Sequence, residues 1–185
     1  MSQTRFDSDR AAFSDAAHLV ARRVVYPAVF RGHQLSFEST RLGTSERNTV
    51  FDGDMGIDRL VRLTVKDLLS PISFSVQERF QSPKYEWRQD LTITEWNHAS
   101  GKPGELHKLF ADLFLAGCYD PERDRLLNAI VVPCIWLKLA IAHGDLPYRR
   151  VVTPKQQSFL SFAFDDLERI GIALIRFPMT ETKAA

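Results

Sequence analysis

The sequence predicts one α/β domain: a central mixed β-sheet with helices on its faces. Three observations carry this. An apolar stripe at helical spacing opens the chain. Three segments between Gly56 and Trp96 alternate apolar and polar residues with period two. A strand, a short helix and another strand close it. A chain of 185 residues is the size of one domain, so 1–185 reads as a single unit.

In order along the chain, Phe13, Ala17, Val20 and Val24 recur at helical spacing and predict a first helix from Asp9 to Tyr26, ended or kinked by Pro27. Gly32 to Asp54 is mixed and polar and reads as irregular. Two strands follow, Gly56–Val65 and Ile72–Gln81, then a third, Leu91–Trp96. Asn97 to Pro103 breaks the pattern. Leu106, Leu109, Phe110, Leu113 and Phe114 fit a helix, or lead into a strand at Leu113–Tyr119; both stay open. Leu127–Val132 reads as a buried strand, and Ile135–His143 as a helix stopped by Gly144. Asp145 to Gln157 reads as a loop. Ser158–Phe164 alternates like a strand, Asp165–Arg169 fits a short helix, and Gly171–Ile175 a last strand. The tail, 180–185, reads as frayed.

The composition is that of an ordinary globular protein, 44% hydrophobic and 25% charged, with a net charge of +1. A nucleic-acid partner would therefore need a local basic patch. Cys118 and Cys134 lie in apolar runs and read as buried thiols, with no zinc spacing and no disulfide framework. The N-terminus has no apolar signal-peptide core. The longest apolar stretch, Ala129 to Ala142, holds Pro133 and Lys138 and is too short to span a bilayer. The expectation is a soluble, cytoplasmic protein with no membrane partner.

The chemistry is concentrated in the first two strands. Their connection, Lys66 to Pro71, is short, so they pair as an antiparallel hairpin. Side-chain parity then puts Asp58, Arg62 and Thr64 on the face shared by Gln77, Arg79 and Gln81, and turns Glu78 to the other face with Val76 and Phe80. A turn centred between Leu68 and Leu69 sets Asp58 opposite Arg79. A slip of two residues keeps the faces together and moves Asp58 to Gln77 or Gln81. Opposed side chains have Cβ atoms about 5 Å apart, so Asp58, Gln77 and Arg79 converge.

Asp58 after its Gly-Ile lead, followed 19 residues later by Gln77-Glu78-Arg79, resembles the motif of the PD-(D/E)XK nuclease superfamily, the restriction-endonuclease-like proteins. That family places an acid near the start of one strand and an acid-x-lysine dyad on the next, after an N-terminal helix. The resemblance covers the chain from its first helix to about Trp96. It implies a restriction-endonuclease-like fold and a nuclease hydrolysing DNA phosphodiester bonds with Mg²⁺ or Mn²⁺. Asp58, Gln77, Glu78 and Arg79 take the catalytic places. Asp58, Glu78 and Gln77 are the metal ligands, Glu78 through a β-bulge, with Glu38, Glu46, Asp52 or Asp54 to complete the shell. DNA is the implied partner, and a homodimer is left open.

The chain departs from the motif at two places. Gln77 stands where the acid is expected; glutamine occurs there in some branches and binds metal through its carbonyl. Arg79 stands where the lysine is expected; it holds a phosphate bidentately but cannot act as a base. These departures favour an alternative, a catalytically degenerate nuclease-fold protein that binds nucleic acid or a protein. The bland alternative is a cross-strand ion pair of Asp58 with Arg79. An unrelated α/β interaction protein is the third reading. Lys84-Tyr85-Glu86-Trp87-Arg88 interleaves aromatic and basic groups, so Lys84, Trp87 and Arg88 are candidate nucleic-acid contacts; equally, Trp87 folds back onto the core. Arg149, Arg150 and Lys155 are further basic candidates. No histidine has metal spacing, and no P-loop, Ser-His-Asp order or dinucleotide glycine pattern occurs.

Overall fold

Apolar stripes and alternating strands need partners, and the computed structural model shows which they find. It describes residues 3–31, 33–39, 55–65, 70–154 and 156–178, leaving aside the side chains of 3–8, 10 and 39. Helix α1 (Gln3–Val29) is followed by strands β1 (Gln34–Ser39), β2 (Arg59–Thr64) and β3 (Ile72–Gln81). A 3₁₀ turn (Pro83–Arg88) leads to β4 (Asp90–Asn97), β5 (Lys102–Pro103) and the short α2 (Glu105–Lys108). Then come β6 (Leu113–Asp120), β7 (Arg125–Pro133), α3 (Cys134–His143), β8 (Arg149–Val152), β9 (Gln157–Ala163), α4 (Phe164–Arg169) and β10 (Ile175–Phe177).

The α/β class holds, but the single sheet does not. A six-stranded mixed sheet has the order β1-β2-β3-β6-β7-β10, and a second sheet has the order β5-β4-β9-β8. In the first, β3 and β6 are parallel and the other pairs antiparallel. The second is antiparallel throughout. Helix α1 covers one face of the larger sheet: Ala17, Val20, Ala21, Val25 and Tyr26 pack on Val61, Val76, Leu115 and Val131. Val24, expected on the stripe, is 36% exposed, because the buried stripe runs through Ala21 and Val25 instead. The opposite face meets the second sheet together with α3 and α4, through Phe114, Ile130, Ile93, Leu160, Phe162, Leu137 and Leu167. The larger sheet is therefore flanked by a helix on one side and by a sheet with two helices on the other.

Several boundaries differ from expectation. α1 extends past Tyr26 through Pro27, which sits in its last turn, where the missing N–H removes only one bond. β1 arises within the segment read as irregular, and β8 within the segment read as a loop. The open choice after Leu106 resolves into a one-turn helix and then β6, every residue of which is buried. The last strand is Ile175–Phe177, beyond the Gly171–Ile175 expected. Glu46, Asp52, Asp54, Lys155 and the tail lie outside the described residues. Cys118 and Cys134 are buried and free, as expected; burial pushes their thiols up to about 11 and about 12. Among the described residues, no helix is long and apolar enough to cross a membrane.

Candidate functional site

The hairpin pairs in a register two residues from the one centred on Leu68 and Leu69. Arg59 lies opposite Val76, and Val61 opposite Phe74. Carried one residue further, this sets Asp58 opposite Gln77, not Arg79. The faces survive, as a two-residue slip requires. Gly56, at φ 62°, makes the left-handed turn that brings the chain into β2. A side chain there would meet Gln77 Oε1 and the Lys108 carbonyl, each at 3.4 Å. Asp58 is then fixed by two bonds to β3: its own N–H donates to Val76 O (2.9 Å), and its Oδ2 accepts the Glu78 N–H (2.7 Å).

Glu78 points under α1. Its side chain is fully enclosed. Oε1 accepts from the Tyr26 hydroxyl at 2.5 Å and from His18 Nδ1 at 2.8 Å. Oε2 lies 3.4 Å from Arg59 Nε. Arg59 in turn reaches Asp15 Oδ1 at 2.9 Å. Burial alone would raise the Glu78 carboxyl; the His18 hydrogen bond, the neighbouring positive charge and the Tyr26 hydroxyl outweigh it and hold Glu78 below its usual value. Tyr26 shifts the other way, well above its ordinary value, through burial and the Glu78 charge. No bulge turns Glu78 toward Gln77, since β3 keeps regular pairing through it.

Gln77 and Arg79 face the second sheet. Gln77 Oε1 is buried and has no hydrogen-bond partner among the described residues. Arg79 is tied to Glu105 of α2 (2.6 Å) and donates to the Thr92 carbonyl of β4 (3.1 Å). The Asp58–Arg79 ion pair is thus replaced by Arg79–Glu105, because the register moves Arg79 beyond the hairpin's end. Glu38, on β1, pairs with Arg62 at 3.4 Å. Among the described residues, no three His, Cys, Asp or Glu side chains converge on a metal-sized space.

Lys84, Trp87 and Arg88 lie on the 3₁₀ turn between β3 and β4. Trp87 is 72% exposed and does not fold onto the core. The turn is held from beneath: Asn128 Nδ2 donates to Glu86 O (3.2 Å), and the Phe164 N–H to Gln89 O (3.0 Å). Arg88 stacks over Tyr85 and Trp87, 4.9 and 5.3 Å from their ring centres. Lys84, Arg88, Arg79 and Arg149 line one cleft of about 990 Å³ between β3, the turn and the second sheet.

The chain matches no family model, no curated protein and no solved structure.

Sequence reasoning missed His18, Tyr26, Arg59, Glu105 and Asp90. For the first two a signal exists: both sit beside the apolar stripe of α1, where a polar side chain needs a partner. Glu105 and Asp90 carry none, because their partners are remote in sequence.

Proposed function

We propose that this protein has a restriction-endonuclease-like arrangement that has lost metal catalysis and binds nucleic acid in the cleft beside Arg79. The enclosure of Glu78 carries the first half. It is the one carboxylate of the dyad; His18 and Tyr26 hydrogen-bond its Oε1 and the Arg59 charge faces its Oε2, all on the face away from Gln77. A Mg²⁺ shell drawn from Asp58, Gln77 and Glu78 does not fit this geometry, since Glu78 faces the opposite side of β3. The helix before the sheet, Asp58 at the entry to β2 and the dyad on the adjacent β3 support the nuclease-like ancestry of the arrangement. Lys84 and Arg88 on the cleft, with Trp87 on the adjoining one, support binding, because cations and aromatic faces together hold phosphates and bases.

The test is a Mn²⁺ titration by calorimetry beside a DNA-binding assay. Binding of DNA without saturable Mn²⁺ uptake and without cleavage is expected. A second reading, an active metal-dependent nuclease, draws on Gln77 Oε1, a buried carbonyl oxygen opposite Asp58 without a hydrogen-bond partner among the described residues. Saturable Mn²⁺ binding and DNA cleavage, both lost in Asp58→Ala, would establish it instead.

A further inference from the structure

The 990 Å³ cleft continues into a second one of about 330 Å³, and the two share Arg88, Asp90, Arg149 and Ser161. Together they form one groove, from Arg79 at one end to Trp87 and Tyr148 at the other. Tyr148 is 48% exposed, so two large aromatic faces stand open at this end. Isolated exposed aromatics need no explanation, but two lining one cleft together with two arginines do. Arg150 lies 5.9 Å from the Tyr148 ring, and Arg88 already stacks on Trp87.

The floor of the groove is unusual. Asp90 is 8% exposed, and its Oδ1 is buried with no hydrogen-bond partner among the described residues. Its Oδ2 accepts from Ser161 Oγ at 2.5 Å. Arg149 lies over the carboxylate at 3.7 Å, outside hydrogen-bond reach, with 63% of its own side chain exposed. A buried carboxylate oxygen without a donor is costly unless a ligand supplies one. The groove thus offers aromatic faces, exposed guanidinium groups and, in its lining, a carboxylate with one oxygen lacking a donor among the described residues.

Resting on the nucleic-acid reading above, we infer that the groove takes a single strand, with a base stacked at Trp87 and Tyr148, a phosphate at Arg149, and a base amino group donating to Asp90. Stacking on open aromatics requires unpaired bases, which a duplex does not present. Moving to the phosphate, Arg149 leaves Asp90 Oδ2, from which it lies 3.7 Å. Cytosine, adenine and guanine carry an exocyclic amino group; thymine and uracil do not. Cytosine and thymine strands have similar stacking surface, so they isolate the contribution of Asp90.

The test is fluorescence anisotropy with labelled oligo-dC, oligo-dT and a duplex, using strands of about ten nucleotides, within the span of one small fold. Oligo-dC should bind about tenfold tighter than oligo-dT, the value of one hydrogen bond to a charged group. Both should bind tighter than the duplex. Trp87→Ala, at an exposed position, should weaken both strands about tenfold or more. Asp90→Ala, which removes the acceptor and is checked for folding by circular dichroism, should abolish the preference for oligo-dC. Equal binding of oligo-dC and oligo-dT by the unaltered protein would overturn the role of Asp90. Duplex binding as tight as single-strand binding would overturn this inference and leave the nucleic-acid reading standing. Binding to none of the three would overturn both.

Discussion

The two faces of β3 are built from neighbouring residues and have opposite characters. Toward α1, Glu78 is enclosed by three partners from two elements. Toward the second sheet, Arg79 borders the cleft, held by Glu105 and the Thr92 carbonyl, and Gln77 keeps a buried Oε1 with no hydrogen-bond partner among the described residues. One residue of parity separates a carboxylate that holds the fold together from an arginine that borders the cleft. A motif read along the chain joins Gln77, Glu78 and Arg79. The pleat divides them. A short motif therefore gains meaning only when each member is assigned its face.

The largest effect should come from the closed face. Glu78→Ala leaves His18 and Arg59 buried without their carboxylate, and should destabilise the fold by about 3–5 kcal/mol in urea unfolding. A loss below 1 kcal/mol would break the distinction between the faces. Acid should reproduce part of it. The Glu78 carboxyl is held low in the folded state, so its contribution is complete above the unfolded value of about 4.3. It is lost as pH falls from there through the lower folded value. Stability measured from pH 6 down to pH 3 should fall less steeply in Glu78→Gln than in the unaltered chain.

On the open face, Arg79→Ala removes one partly exposed ion pair and one hydrogen bond, and should cost about 1–2 kcal/mol. The double change with Glu105→Ala should cost little more, showing that the two act as a unit. The smallest effect belongs to the turn. Trp87→Ala should shift stability by no more than about 0.5 kcal/mol while weakening nucleic-acid binding. A larger loss of stability would make Trp87 a packing residue.

Legibility followed the range of the interactions. The alternation of Arg59–Thr64 and Ile72–Gln81 is local, so both strands, their pairing and the parity of Asp58, Gln77 and Arg79 were readable. Their register was not, because it depends on a connection whose length allows two centres. β6 was ambiguous because it is buried on both sides and shows no alternation. β1 carries only Leu35 and Phe37 as an apolar signal. Leu91–Trp96 was recognisable as a strand, but its membership of a second sheet was not, since periodicity says nothing about a partner. Glu78's three partners and Arg79's Glu105 come from separate elements, and no spacing rule connects them.

The route of the chain between its two sheets governs how it folds. β3 and β6 are neighbours, yet the segment between them departs to lay down β4. The partner of β4 is β9, with Asp90 opposite Ala163. Each sheet is therefore interrupted by a strand of the other. Closing such distant pairs costs loop entropy before any contact rewards it. During synthesis, Leu91 and Ile93 wait for Leu160 and Phe162 to emerge. The nascent chain thus holds an uncovered apolar surface until Leu160 and Phe162 have been made, which exposes it to aggregation at that stage more than in the finished fold.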